Sequence, residues 1–300
     1  MTTILFAGAT GNIAKRAIKN LENQNVTIKA GIREAEIEIG RELFKDQSNV
    51  EVVELDLLKP DTFKPAFKGV DIVYFATLLA VPGDFEKAYV DAAKAAGTVK
   101  HIIHSTGSTA DVPEVFKLCS EFIFEREEIT KESGIDFTFL HPCMFMENFA
   151  TMLAPSIRDN NGWSEPLIGS AEVAYVDVQD IANVVSSITL EPSKHAGRTY
   201  TLSGPDAVSS DGIASLLSEA LGRTIQYTEM SSEEWTSANW GGVEVAENNN
   251  WLFNVLRENY DGFAVGAEGK NLLNNNIKEI TGQEPTSFRE FIARSVNAWK

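Results

Sequence analysis

The sequence predicts an α/β fold, a doubly wound parallel Rossmann sheet with a smaller, mostly helical C-terminal lobe. Three observations predict it. Short apolar runs alternate with helix-like segments through the first half of the chain. Several of these runs are β-branched and apolar at consecutive positions, as in strands covered on both faces. The first run, "TILFAG", stops in a glycine turn that leads directly into a helical segment.

In chain order, "TILFAG" is the first strand and residues 12–23 the helix after it. "VTIKAGI", "VEVVEL", "DIVYFAT", "KHIIHS" and "FTFLH" are the next strands, with helices over 61–67, 85–96 and 114–133 among them. Gly97 and Gly134 stand where a helix C-cap glycine belongs. Pro142 closes the last clear strand of this series. "DVQDIANVVSSITLE" then reads as a helix capped by Asp177 or Asp180, and "RTYTLSG" as one more strand. After Gly204 the chain turns helical, polar and asparagine-rich. The expected division is a Rossmann domain over 1–142 and 171–204, and a smaller substrate-binding lobe over 143–170 and 205–300. There are no internal repeats, and the asparagine triplets at 248–250 and 274–276 read as solvated surface.

With 300 residues, 43% of them hydrophobic, the chain can bury a large core. A net charge of −17 repels nucleic-acid phosphates and anionic lipid, so neither is an expected partner. Cys119 and Cys143 are the only cysteines, with no CxxC pair, which fits a reducing compartment. "MTTILFAGATG" lacks a basic n-region, and "DIVYFATLLAVPG" is broken by Pro82 and too short to span a bilayer. A cytoplasmic location is the expectation.

The glycine turn carries the first functional reading. Gly8 can take the positive φ a sharp strand-to-helix turn requires. Gly11, with no side chain, lets backbone amides approach a bound group. The helix N-terminus offers unpaired N–H donors and partial positive charge, so that group is an anion such as pyrophosphate. Ala14 sits where the helix packs against the first strand, and G-A-T-G-N-I-A fits the dinucleotide fingerprint. Arg33 stands at the end of the second strand, 19 residues past Ala14, where an NAD site usually has an acid. A guanidinium there suits a 2′-phosphate, so NADP(H) is preferred over NAD(H); the other reading is a solvated loop charge. Glu34 points elsewhere if the strand ends at Ile32, and Lys15 or Arg16 can assist. Asp56 is placed to bond the adenine edge, with Leu57 against the ring; equally it can cap a helix. Ala76 and Thr77 leave room for a ribose. Ser105 and Thr106 end the fifth strand, either touching ribose or substrate or simply turning the chain.

"GATGNIA", "VELDLLKPDTFKPAFKGVDIVYFAT", "VKHIIHSTGS", "SGIDFTFLHPCMFMENF", "AYVDVQDIANVV", "RTYTLSGPDAVSSDGIASLLSEALGR" and "ITGQEPTSFREFI" follow one another in this order. Over nearly its whole length the chain thereby resembles the NmrA-like proteins, a group of atypical short-chain dehydrogenase/reductases. That family includes NAD(P)H-dependent quinone reductases, a triphenylmethane dye reductase and catalytically silent sensors of nucleotide redox state. The resemblance implies cofactor binding by Gly8, Thr10, Gly11, Asn12, Ile13 and Arg33. It also implies that the backbone around His141, Pro142 and Phe145 lies near the nicotinamide. Two departures stand out. His141 replaces the arginine of an L-R-P motif, and "SEFIFEREEITKESG" has no lysine in its first turns, where some relatives carry one.

The usual Tyr-x-x-x-Lys proton-donor pair is absent. Four residues after Tyr74, Tyr89, Tyr175, Tyr200, Tyr227 and Tyr260 stand Leu78, Ala93, Gln179, Gly204, Ser231 and Ala264. Hydride transfer to a quinone or cationic dye needs little protonation help if the rings stack. Phe145, Met146, Phe149 and Trp163 are candidates to line such a slot, or to be core. His141 is either a satisfied core histidine or the catalytic proton donor. Lys117 is a weaker candidate, and Cys143 reads as a buried, inert thiol. His101 and His104, three apart on a strand, face opposite ways, so no metal site is expected. Two functions fit: an NAD(P)H-dependent reductase of a quinone-like or other conjugated acceptor, or a catalytically silent NADP(H) sensor that binds a partner. The expected partner is a small-molecule substrate, with a homodimer left open.

Overall fold

The computed structural model describes residues 1–77, 85–239 and 250–300. Pro82 and the asparagines at 248 and 249 lie outside them. The chain begins with β1 (Thr2–Ala7), α1 (Asn12–Asn20), β2 (Val26–Ile32), α2 (Ile37–Phe44) and β3 (Val50–Glu54). There follow α3 (Phe63–Phe67), β4 (Ile72–Ala76), α4 (Phe85–Ala96), β5 (His101–Ser105), α5 (Lys117–Lys131) and β6 (Asp136–Pro142). Next come β7 (Met144–Phe145), α6 (Glu147–Ala150), α7 (Ala154–Asn160), β8 (Gly162–Glu165), β9 (Glu172–Val176) and α8 (Val178–Leu190). The last part holds β10 (Arg198–Leu202), β11 (Ala207–Ser209), α9 (Ser210–Leu221), β12 (Gln226–Glu229), α10 (Ser232–Asn239), α11 (Asn250–Ala264), α12 (Asn276–Thr281) and α13 (Phe288–Ser295).

Seven strands form one sheet in the order β10-β6-β5-β4-β1-β2-β3, the doubly wound arrangement expected. The pairs β1/β2, β1/β4, β2/β3, β4/β5 and β5/β6 are parallel, with Ile4 facing Ile28 on one side and Ile72 on the other. Ile4, Leu5 and Phe6 are all fully buried, so both faces of β1 are covered. The strand order reverses between β1 and β4, the place where such sheets open a crevice at their carboxyl ends. Gly97 and Gly134 have φ of +67° and +74°, as helix-ending glycines do.

Helix α2 was not foreseen. Its apolar stripe is interrupted by Gly40, and Ile39 and Leu43 are exposed, which blurs the helical period. The glycine has a packing reason: a Cβ there would lie 2.0 Å from the Ile32 side chain.

By its contacts the chain falls into two compact units. The first comprises 1–106, 123–140 and 179–200, and the second 107–122, 141–178 and 201–300. The sequence division places 107–122, 141–142, 171–178 and 201–204 in the Rossmann domain instead. The first unit has a cluster built on Leu5, Phe67, Val73, Phe75, Tyr89 and Ile102, with Phe63 stacked on Tyr89 at 5.1 Å. The second unit is less purely helical than expected. It has a three-stranded sheet, β11-β9-β7, and the parallel pair β12-β8. In it Asn274 Nδ2 donates to Leu272 O (2.8 Å) and Asn276 Nδ2 to Thr201 O (2.8 Å), so this triplet is a structural tie and not plain solvated surface.

The core of the second unit decides between two readings left open by the sequence. Met146, Phe149 and Trp163 are 1, 2 and 3% exposed and belong to that core, so they do not line an open slot. Phe149 meets Trp163, Tyr175 and Phe288 edge-on at 5.5, 5.7 and 5.2 Å, and its carbonyl accepts from Trp299 Nε1 at 2.7 Å. Phe149→Ala is therefore expected to cost ~3–5 kcal/mol of stability, read from a urea unfolding curve. A loss below ~1 kcal/mol would place Phe149 outside the core.

Candidate functional site

Strand β1 ends at Ala7, and Gly8 follows with φ +68°. The turn closes on itself, with Gly11 N donating to Gly8 O at 2.8 Å and Ala9 N to Gly31 O at 3.0 Å. A Cβ on Gly11 would stand 3.0 Å from Gly8 O, so a side chain there would crowd the turn. Gly11 is the N-cap of α1, yet no side chain caps that helix and its first turn holds no acid. Helices α9 and α13 are capped by Ser209 and Ser287. The start of α1 thus keeps donors for an acceptor from outside the chain. Gly8, Gly11 and Asn12 are exposed, Thr10 and Ile13 half-buried, and Ala14 is packed in at 3% exposure.

Arg33 follows β2 and is exposed, and it forms an ion pair with Glu36. The other Glu36 oxygen accepts from Thr10 Oγ1 at 2.8 Å. The Arg33 guanidinium, and then the Thr10 hydroxyl, hold the Glu36 carboxyl below the usual carboxylate range. Sequence reasoning missed Glu36; the signal was its i,i+3 spacing from Arg33 at a strand end. Glu34 does point elsewhere, as expected, and pairs with Lys59.

The remaining positions of this unit follow at strand ends. Asp56 Oδ1 accepts from Leu58 N (3.0 Å) and Asp56 N donates to Thr62 Oγ1 (3.0 Å), so this aspartate shapes its own turn. Leu57 packs on the core cluster as a half-buried side chain. Ala76 is exposed at the end of β4. Thr77 Oγ1 lies 2.8 Å from His104 Nε2, and Thr77 N donates to Ser105 O at 2.8 Å. Ser105 is buried at 3% exposure, and Thr106 Oγ1 donates to Glu127 at 3.0 Å. His104 Nδ1 is 3.1 Å from Thr130 Oγ1, and His101 Nε2 is 2.8 Å from Thr138 Oγ1. Burial takes the His101 pKa down to about 4, so both histidines read as satisfied core groups.

His141, Pro142 and Phe145 belong to the second unit. His141 is 4% exposed, with Nδ1 2.8 Å from Asp111 Oδ1, while Asp111 Oδ2 accepts from Thr201 Oγ1 at 2.7 Å. Nearby in the chemistry of the same unit, buried Ser108 donates to Glu268 Oε1 at 2.7 Å. Pro142 is buried, and Phe145 is half-buried on β7, paired in register with Val176. Burial pushes the Cys143 thiol well up, consistent with an inert side chain. Lys117 is exposed and is the first residue of α5, whose amides at 118 and 119 donate to Glu258. A lysine therefore does stand in the first turn of this helix, which starts three residues before the stretch "SEFIFEREEITKESG" and three residues after the expected start at 114.

Comparison with known proteins adds to this geometry. The profile of the NmrA-like family matches residues 1–292. An NAD(P)H azoreductase from Xenophilus azovorans is 31% identical over 96% of both chains. A (4-alkanoyl-5-oxo-2,5-dihydrofuran-3-yl)methyl phosphate reductase from Streptomyces griseus is 28% identical over 99% of both. The crystal structure of an NADPH-dependent quinone oxidoreductase from Escherichia coli, complexed with NADPH, shares the fold. Its TM-score is 0.80 at 22% identity, covering 98% of this chain and 100% of that one. No helix among the described residues is long and apolar enough to cross a membrane.

The acid beside Ser108 provides a pH test of this unit. Burial raises the Glu268 carboxyl to about 7 from its ordinary 4.5. Folded protein therefore holds this proton over a range in which unfolded chain has released it, so this group costs stability as pH rises from about 4.5 to 7 and costs most above 7. Glu268→Gln removes that cost while keeping an acceptor for Ser108. The variant is expected to gain on the wild type by roughly 3 kcal/mol between pH 5 and 8, read from paired melting curves. A difference that stays flat with pH would mean that Glu268 is ionised in the fold.

Proposed function

The chain belongs to the NmrA-like family, and we propose that it is an NAD(P)H-dependent reductase of a conjugated small-molecule acceptor such as a quinone or an azo compound. The observation that carries this is the turn from β1 to α1. A glycine at φ +68°, a second glycine whose Cβ would crowd the turn, and a helix start with no side-chain cap make a cradle for pyrophosphate. The residues present fit a dinucleotide. Gly8, Thr10, Gly11, Asn12 and Ile13 would hold the phosphates, and Arg33 the 2′-phosphate of NADP(H). Asp56 and Leu57 would border the adenine, and Ala76, Thr77 and Ser105 the riboses.

When bound, the reduced nicotinamide supplies a hydride. The chain's own work is to fix the acceptor and keep water away. We assign Phe145 as the aromatic contact for the acceptor and Pro142 as its backbone neighbour, because Met146, Phe149 and Trp163 are spent on the core. His141 can hold a proton at Nε2 while Asp111 fixes Nδ1, which suits protonation of a reduced product. The absence of Tyr-x-x-x-Lys selects acceptors that need little such help. The azoreductase and dihydrofuranone reductase among the relatives support this substrate class.

Purified protein with NADPH should reduce simple quinones and azo dyes and leave unactivated ketones untouched, followed by loss of NADPH absorbance. Tight dinucleotide binding with no turnover across such a panel would instead favour a redox sensor. Phe145→Ala should lower turnover more than NADPH affinity; an untouched rate would remove Phe145 from the site.

The cofactor cradle has its own tests. Gly11→Val should abolish dinucleotide binding, since a branched side chain would crowd the turn and take the space of the pyrophosphate; unchanged affinity would move the phosphate site elsewhere. Arg33→Ala should weaken NADPH by about tenfold and NADH little. The low end of the ~1.5–3 kcal/mol for a charged hydrogen bond applies because Arg33 is exposed and already paired. Equal wild-type affinities for NADPH and NADH would sink the NADP(H) preference.

A further inference from the structure

Arg33 is not a waiting cation. Its guanidinium is engaged by Glu36, whose second oxygen takes the hydroxyl of Thr10 at 2.8 Å. Glu36 thus bridges the glycine turn and the arginine at the end of β2. Its side chain is 26% exposed, and its bonds keep it ionised at neutral pH. The neighbouring cation, Lys59, is held by Glu34 and lies 3.7 Å from Glu54, so it does not relieve Arg33. Arg16, on the first turns of α1, bonds Asn12 O at 2.8 Å.

We propose that Glu36 sets the dinucleotide selectivity of this site: its carboxylate occupies Arg33 where a 2′-phosphate would, and must give Arg33 up when a phosphorylated ribose binds. This rests on the cofactor reading above. A 2′-hydroxyl makes no such demand, because it can donate to Glu36 while Arg33 stays paired. A 2′-phosphate needs Arg33 released and must also tolerate a nearby carboxylate. One chain therefore carries both devices at the end of β2, the arginine that favours NADPH and the acid that favours NADH. The outcome is a site that accepts both dinucleotides, with the preference for NADPH held below what Arg33 alone would give. Thr10 enters because its hydroxyl keeps Glu36 over the turn, which links ribose selection to the phosphate loop.

The test is fluorescence titration of NADPH and NADH into the wild type, Glu36→Gln, Arg33→Ala and the double variant. Adenosine 2′,5′-bisphosphate and 5′-AMP serve as probes that lack the nicotinamide. Glu36→Gln should raise the NADPH-to-NADH affinity ratio roughly three- to tenfold, as expected for freeing an exposed pair. The same rise should appear for the bisphosphate over AMP. In the Arg33→Ala background it should shrink to about twofold or less, since the competition is for Arg33. A ratio unchanged or lowered in Glu36→Gln, with dinucleotide still bound, overturns the proposal alone. It would mean that Glu36 holds Arg33 in place for the phosphate. A wild type that binds neither dinucleotide nor either probe overturns the cofactor reading and this proposal with it. Glu36→Ala provides a second variant with the same expected direction should the glutamine substitution disturb α2.

Discussion

The four-residue turn between β1 and α1 is the constraint on which the first unit depends. The strand must end, reverse and start a helix within the span of Gly8 to Gly11, and with Gly11 N bonding back to Gly8 O a Cβ at Gly11 would crowd that oxygen at 3.0 Å. From that follow the small residue at Ala14, needed for α1 to lie against the sheet, and the bond from Ala9 to Gly31 that fastens the turn to β2. Gly31 is itself tight, since a Cβ there would meet Leu55 at 2.7 Å and Phe6 O at 3.0 Å. The backbone is thus close-packed where a ligand phosphate would need backbone donors, and the apolar clusters around it supply the rigidity.

The second unit is held by different means. Its aromatic core, from Met146 to Trp299, is stitched by edge-on contacts. Around it runs a set of polar pairs, each with at least one buried member: His141 with the partly exposed Asp111, Ser108 with Glu268, Trp163 Nε1 with Glu165 at 3.0 Å, and the exposed Arg294 with Asp177. Buried groups of this kind are costly unless every one is matched, and they fix one arrangement of the segments that carry them. These segments come from three separate parts of the chain.

The sheet was legible because its strands are buried on both faces, so Ile4, Leu5 and Phe6 read as one run, and because glycines punctuate the helices. The turn from β1 to α1 was legible because φ and steric demands narrow the choice of residue at Gly8 and Gly11. Helix α2 was not, since Gly40 stands in its apolar stripe for a packing reason that only the neighbouring Ile32 reveals. Strands β7, β8, β11 and β12 of the second unit were missed because two to four residues are too few for a period. Met146, Phe149 and Trp163 had the right chemistry for a substrate slot, and only tertiary packing shows them committed to the core. Glu36 is the clearest case of a signal too common to stand out, an i,i+3 spacing from Arg33. An exposed acid in "REAEIEIG" looks like solvated surface until Thr10 and Arg33 are seen on its two oxygens.

Two of the buried acids change what the formal charge means. Glu165 and Glu268 are each raised to about 7 by burial, yet the count of −17 takes both as ionised. Near neutrality the folded chain carries about one unit less negative charge than the count implies, and unfolding releases the difference as protons. Heat measured on melting then includes the enthalpy of whatever buffer takes up those protons. Calorimetric unfolding enthalpies near pH 7 will differ between phosphate and an amine buffer by the difference in the heats of protonation, though the protein is the same.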